Sequence, residues 1–131
     1  DIRIATPRAR LGITPAKLGL VYPLHDTKLL VDLVGPGQAK RLLFTGMLLD
    51  AHEALRIGLV DEIADRSGHL EAAISANSLH STTQMKRFVR RVLDGQSEDD
   101  TATLAVFAEA FAGPDFREGS SAFVGKRKPS F

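Results

Sequence analysis

The chain has no cysteine. That excludes a disulfide framework and any thiolate metal site. Its four histidines, His25, His52, His69 and His80, are scattered without a metal-ligand spacing, so no metal is expected. Charge of one sign is not in excess: 17 basic residues face 16 acidic ones, for a net +1. No global field therefore draws the protein to nucleic acid or to an anionic membrane. No apolar run approaches the roughly 20 residues needed to span a bilayer. The first residues lack the charged and apolar regions of a signal peptide, so the expected localisation is cytoplasmic. Internal repeats, linkers and low-complexity tracts are also missing.

What remains is 131 residues, 44% of them hydrophobic, enough for one domain or a piece of one. There is no initiator Met, and Ile2 and Ile4 alternate with Arg3, as within a strand. The expectation is a fragment, a processed chain, or one preceded by further residues.

Strand signals are confined to the first half, at residues 1–5 and 9–13. A helix is predicted over 27–34, with Leu30, Leu33 and Val34 on one face, stopped by Gly35, Pro36 and Gly37. A second short helix over 38–44 buries Ala39, Leu42 and Leu43. The second half reads as helical. Residues 69–76 form one helix. Ser81 caps the next, whose stripe is Met85, Phe88, Val89, Val92 and Leu93. Ser97 caps a third, with stripe Leu104, Phe107, Ala108 and Phe111. Asp115 and Glu118 have the spacing of a capping box before a last helix ending near Val124. Such short helices need tertiary or intersubunit packing. Five of the seven phenylalanines lie between Phe88 and Phe123, a large apolar load for the helical half.

The most informative stretch is residues 45–63. Asp50 and Glu53 have capping-box spacing, and Gly58 falls where a helix takes a left-handed C′ residue. A short helix followed by extended chain is predicted. This string resembles the "TG…A.EA...GLV" segment of the crotonase (enoyl-CoA hydratase/isomerase) family. Two further stretches match in order. Residues 1–20 resemble "CD.r.A…a.f…pe..lGl.P". Residues 116–131, with Glu118, Gly119, Phe123, Lys126, Arg127 and Pro129, resemble the ending "d..Eg..AF..KR.p.f".

The resemblance implies an α/β, crotonase-like fold, the ClpP/crotonase spiral of repeated β-β-α turns. Residues 1–65 would be the C-terminal part of the spiral core, its last turns. Residues 66–131 would be the helical C-terminal oligomerisation region, building homotrimers or hexamers. It implies a lyase or isomerase of fatty acid metabolism acting on an acyl-CoA thioester through an enolate. Coenzyme A would be part of the substrate, with no tightly bound cofactor. Both oxyanion-hole segments of the family lie upstream of Asp1, so an upstream half-chain is an expected partner. Two backbone N–H groups must meet the oxyanion, and losing one costs roughly 10²–10³ in rate in a well-studied hydrolase.

The catalytic glutamate of the family's "pE" pair is also replaced. Alignment without gaps from Gly12 to Gly19 puts Pro15 there; pairing the prolines puts Ala16 there. Neither transfers a proton.

The loop of residues 22–26 lines the acyl pocket in relatives. His25 is the natural base near neutral pH, with Asp26 beside it; the other reading is a turn with Asp26 as N-cap. Tyr22, the only tyrosine, would hydrogen-bond the thioester or acyl group, or pack with a polar tip. Ala16, Leu18, Leu20 and Leu24 would floor the acyl pocket, or serve as core. Phe123 and Lys126 match residues that touch CoA, Lys126 for a phosphate and Phe123 for the adenine; the alternative is a core Phe and a solvated Lys. The basic face of Lys86, Arg87, Arg90 and Arg91 lacks interleaved aromatics and reads as solvated helix surface, not a nucleic-acid site. The functional alternatives are this enzyme and a non-catalytic or truncated crotonase-like oligomerising protein.

Overall fold

The computed structural model describes residues 1–131, which divide into two compact units, Asp1–Ser67 and Gly68–Phe131. In the first unit, β1 (Ile4–Ala5), β2 (Arg10–Leu11) and a 3₁₀ turn (Pro15–Leu18) lead into α1 (Leu24–Thr45), followed by β3 (Leu49–Asp50), α2 (Ala51–Arg56) and β4 (Glu62–Ile63). The second unit holds α3 (Gly68–Ser75), α4 (Leu79–Leu93), α5 (Thr101–Ala112) and α6 (Pro114–Val124).

The first unit carries two short ladders. β1 pairs in parallel with β4, Ile4 opposite Glu62 and Ala5 opposite Ile63. β2 pairs antiparallel with β3, Arg10 opposite Asp50 and Leu11 opposite Leu49. Each sheet has two strands only, so each ladder keeps unpaired edges. Arg3 extends the β1–β4 ladder by side chain. Its backbone N–H donates to Asp61 Oδ2 at 2.7 Å, its Nη2 to Asp61 Oδ1 at 2.8 Å, and its Nε to the Leu59 carbonyl at 2.9 Å.

Helix α2 begins as the sequence predicts: Asp50 Oδ1 accepts from the Glu53 N–H at 2.8 Å. The other half of the expected capping box is not made. Glu53, half-buried, instead takes Arg41 Nη1 at 2.5 Å and Arg56 Nε and Nη2 at 2.6 and 2.8 Å. Two guanidinium groups outcompete one backbone N–H because all three of their bonds are charge-assisted. Gly58 has φ of 75°, the left-handed conformation its position calls for.

The two helices predicted over 27–44 run as one element, α1, broken at Gly35 (φ 75°, ψ 162°) ahead of Pro36. Two small cores result. Ala5, Ala51, Ala54 and Val60 form one; Leu30, Ala39, Leu42 and Leu49 form the other. Leu43, predicted as buried with Ala39 and Leu42, is only half-buried.

In the second unit the predicted caps shift by a few residues. Ser78, not Ser81, caps α4, accepting from the Ser81 N–H at 3.0 Å. Asp100, not Ser97, caps α5 in a reciprocal box with Thr103. Pro114 opens α6 after an N-cap Gly113, so Asp115 and Glu118 make no capping box. Asp115 instead accepts the Ser78 hydroxyl at 2.5 Å. No helix is long and apolar enough to cross a membrane.

Gly12 tolerates no side chain, since a β-carbon there would lie 2.4 Å from the Met47 carbonyl oxygen. Gly12→Ala is expected to destabilise the fold by about 1–3 kcal/mol, by the cost of overpacking, read as a drop in thermal midpoint. A second expectation concerns acid. Hydrogen bonds from Arg56 and Arg41 pull the Glu53 carboxyl from 4.5 down to about 2. A depressed folded-state value means stability that is full above the unfolded value and lost as pH falls through the folded one. Glu53→Gln should therefore be less stable than wild type at pH 7, with the gap closing between about pH 4.5 and 2. A gap unchanged down to pH 2 in circular-dichroism melts would contradict this role.

Candidate active site and coenzyme A contacts

The two groups of candidate residues lie in different units. In the first unit, Pro15 opens the 3₁₀ turn and no acidic residue occupies its first turn. Gly19, at φ 70°, closes it, donating to the carbonyls of Ala16 and Pro15. The chain then runs exposed. Leu18 is 74% exposed, Leu20 61%, Val21 94% and Leu24 86%, and Ala16 is exposed as well. The alternative of core packing for Ala16, Leu18, Leu20 and Leu24 thus does not hold within residues 1–67.

This apolar run ends at the start of α1, whose N-cap is Pro23 with no side-chain cap. Asp26 does not serve as the N-cap; it lies inside the first turn, where a carboxylate suits the positive helix end. His25 is exposed, and Tyr22 and Asp26 are half-buried. Their side chains carry no hydrogen bond or ion pair within the chain. Three polar groups in five residues are therefore free for a ligand. The same unit has a groove of about 640 Å³ lined by Ile4, Leu11, Ile13, Leu33 and Val60, with Arg10 among its cations.

In the second unit, Phe123 is 86% exposed and Lys126 is exposed, so Phe123 is no core residue of this unit. Both belong to the end of α6, where the Lys126 N–H donates to the Phe123 carbonyl at 3.2 Å. Sequence reasoning missed what fixes this end. Glu118 accepts Arg127 Nη1 at 2.6 Å, Arg127 Nη2 at 2.9 Å and the Ser130 N–H at 2.8 Å. The available signal was Arg127, nine residues after Glu118. The Asp115-to-Glu118 spacing drew attention to the helix start instead.

A groove of about 730 Å³ also opens in this unit, lined by Phe107, Phe111, Phe116, Phe123 and Phe131. Phe111 and Phe116 stack with centroids 4.4 Å apart. His80 also lines it, and its Nε2 is buried without a partner. No group of three His, Asp or Glu side chains converges as for a metal. The predicted α4 stripe lies largely in the open: Met85 is 57%, Val89 61% and Val92 66% exposed.

The sequence profile of the enoyl-CoA hydratase/isomerase family matches residues 1–131. A short-chain-enoyl-CoA hydratase of Clostridium acetobutylicum is 36% identical, the match covering 98% of this chain and 52% of the relative. A crotonyl-CoA hydratase of Syntrophomonas wolfei is 35% identical over 100% of this chain and 53% of its own length. The crystal structure of an enoyl-CoA hydratase/isomerase family protein from Hyphomonas neptunium superposes with a TM-score of 0.86 at 41% identity, covering 100% of this chain and 52% of that one. The chain spans about half the length of the curated relatives it matches. The fold is part of the crotonase architecture, and the chain belongs to the enoyl-CoA hydratase/isomerase family.

Proposed function

We propose that this chain acts on an acyl-CoA thioester through an oxyanion-stabilised enolate, as an enoyl-CoA lyase or isomerase, with the oxyanion-hole donors supplied by the half of the fold that it does not contain. The observation that carries this reading is the exposed run of Leu18, Leu20, Val21 and Leu24 leading into the start of α1. There Tyr22, His25 and Asp26 have no partners. In a protein of this family such a run is an acyl floor beside candidate acid–base groups. His25 would move the proton, Asp26 would orient it, and the Tyr22 hydroxyl would bond the thioester or acyl oxygen. Ala16 completes the floor.

Coenzyme A would be held by Phe123, stacking on the adenine, and by Lys126, paired with a phosphate. The upstream half would seat on the free edges of β1 and β2 and the apolar groove beside them. The exposed helices of residues 68–131 would build a homotrimer or hexamer, and the protein would work in the cytoplasm. A second reading, a non-catalytic oligomerising member, is favoured by Pro15 and Ala16 at the place of the hydratase glutamate.

The chain fused behind the upstream half of the Clostridium acetobutylicum relative separates these readings. The fusion is expected to consume crotonyl-CoA, followed by loss of enoyl-thioester absorbance. His25→Ala should slow it by at least about 10²-fold, the lower end for a general acid–base group. A folded fusion that binds CoA and does not turn over crotonyl-CoA overturns the enzyme reading and leaves the oligomerising one.

A further inference from the structure

Lys126 is the one non-glycine residue of the chain with a positive φ, 49°. It follows the end of α6 in a left-handed turn closed by two backbone bonds. The Lys126 N–H reaches the Phe123 carbonyl at 3.2 Å and the Arg127 N–H reaches the Ala122 carbonyl at 3.0 Å. This is the pattern in which helices usually place glycine. Gly125 stands one position too early to relieve it, so a β-carbon sits in a conformation that disfavours it. Such a conformation persists only where its surroundings enforce it.

The enforcing group is visible. Glu118, one helical face earlier on α6, holds both terminal nitrogens of Arg127 and the N–H of Ser130. The tail is thereby folded back along the helix, and a β-carbon at Gly119 would sit 3.7 Å from the Phe131 ring. Arg127 is engaged by this clasp, whereas the Lys126 side chain is exposed.

We propose that Glu118 is a positioning residue for coenzyme A recognition: by clasping Arg127 and the Ser130 N–H it locks the left-handed turn that presents Lys126 beside Phe123. The proposal rests on the reading of Phe123 and Lys126 as CoA contacts. Glu118 touches no ligand itself; it acts through the backbone at 126. Hydrogen bonds from Arg127 and from the Ser130 N–H draw its carboxyl down to about 2. The clasp therefore stays ionised across the neutral range, and its effect on CoA affinity should not change with pH there.

The test is calorimetric titration of CoA into the wild-type chain and three variants. Lys126→Gly removes the ammonium and the backbone cost together. It should raise the thermal midpoint or leave it unchanged, while weakening CoA binding about two- to fivefold, the size of an exposed charge contact. Glu118→Gln should weaken CoA by a similar factor in the wild-type background and have no further effect on CoA in the Lys126→Gly background. A merely structural residue would not show that coupling. If Glu118→Gln fails to fold, Ser130→Pro takes its place, since it removes the clasped N–H without touching Glu118, Arg127 or Lys126. Unchanged affinity in Lys126→Gly overturns the CoA reading, as does a wild-type chain that does not bind millimolar CoA. A weakened Lys126→Gly with an unaffected or additive Glu118→Gln overturns the positioning role alone.

Discussion

Helix α2 meets the strands through side chains no larger than a methyl group. Ala51 and Ala54 are both fully enclosed, and α2 touches β2, β3 and β4. Small side chains let the helix axis approach both ladders closely, so one short helix can serve two sheets. A six-residue helix has no stability of its own. It is held by the Asp50 cap at its start, by Glu53 reaching across to Arg41 on α1, and by Gly58 reversing the chain into β4. The Arg3–Asp61 pairing then extends β1 alongside that exit. The close contact of Gly12 with the Met47 carbonyl belongs to the same arrangement, because it lets β2 lie beside β3 without a side chain between them.

Around these small cores, larger apolar side chains stand outside. Leucines of the 18–24 run, the α4 stripe and most of the phenylalanines of residues 107–131 are exposed. Burial of such groups is the main favourable term in folding and association, at roughly 25 cal/mol per Å² of apolar surface. Large contiguous exposed apolar patches mark interaction surfaces. The chain spans about half the length of the curated relatives it matches. The exposed run of residues 18–24 and the aromatic groove are two such apolar surfaces, one in each unit.

The polar contacts divide in a related way. Glu53 and Glu118 both sit where a capping role was expected, and both instead hold arginines. A carboxylate three residues into a helix has one weak local partner, the N-cap N–H. A guanidinium brought near by the fold offers two charge-assisted bonds in fixed geometry. At Glu53 the competitors are Arg56, three residues on in the same helix, and Arg41 from α1; at Glu118 it is Arg127 from the tail, so the capping-box spacing alone is ambiguous. At Asp50 the local partner won because its side chain faces the helix start directly.

The sequence by itself determined the family, through three ordered motifs, the helical second half, through periodicity, and the end of α2, through Gly58. Gly58 adopts the left-handed conformation that ends a helix. It also named Tyr22, His25 and Asp26, and Phe123 and Lys126, as candidates. The tertiary structure alone decided which apolar faces are covered, which serine or aspartate caps each helix, and that Lys126 takes a left-handed turn while Glu118 holds Arg127 and the Ser130 N–H. The physical reason is range. Periodicity and turn chemistry act over a few residues and fix the local form of the backbone. Burial, and pairings such as Arg41 with Glu53, Arg3 with Asp61 and Arg127 with Glu118, depend on groups that meet only after folding, whereas a pair such as Glu53 with Arg56 already lies within one helical turn.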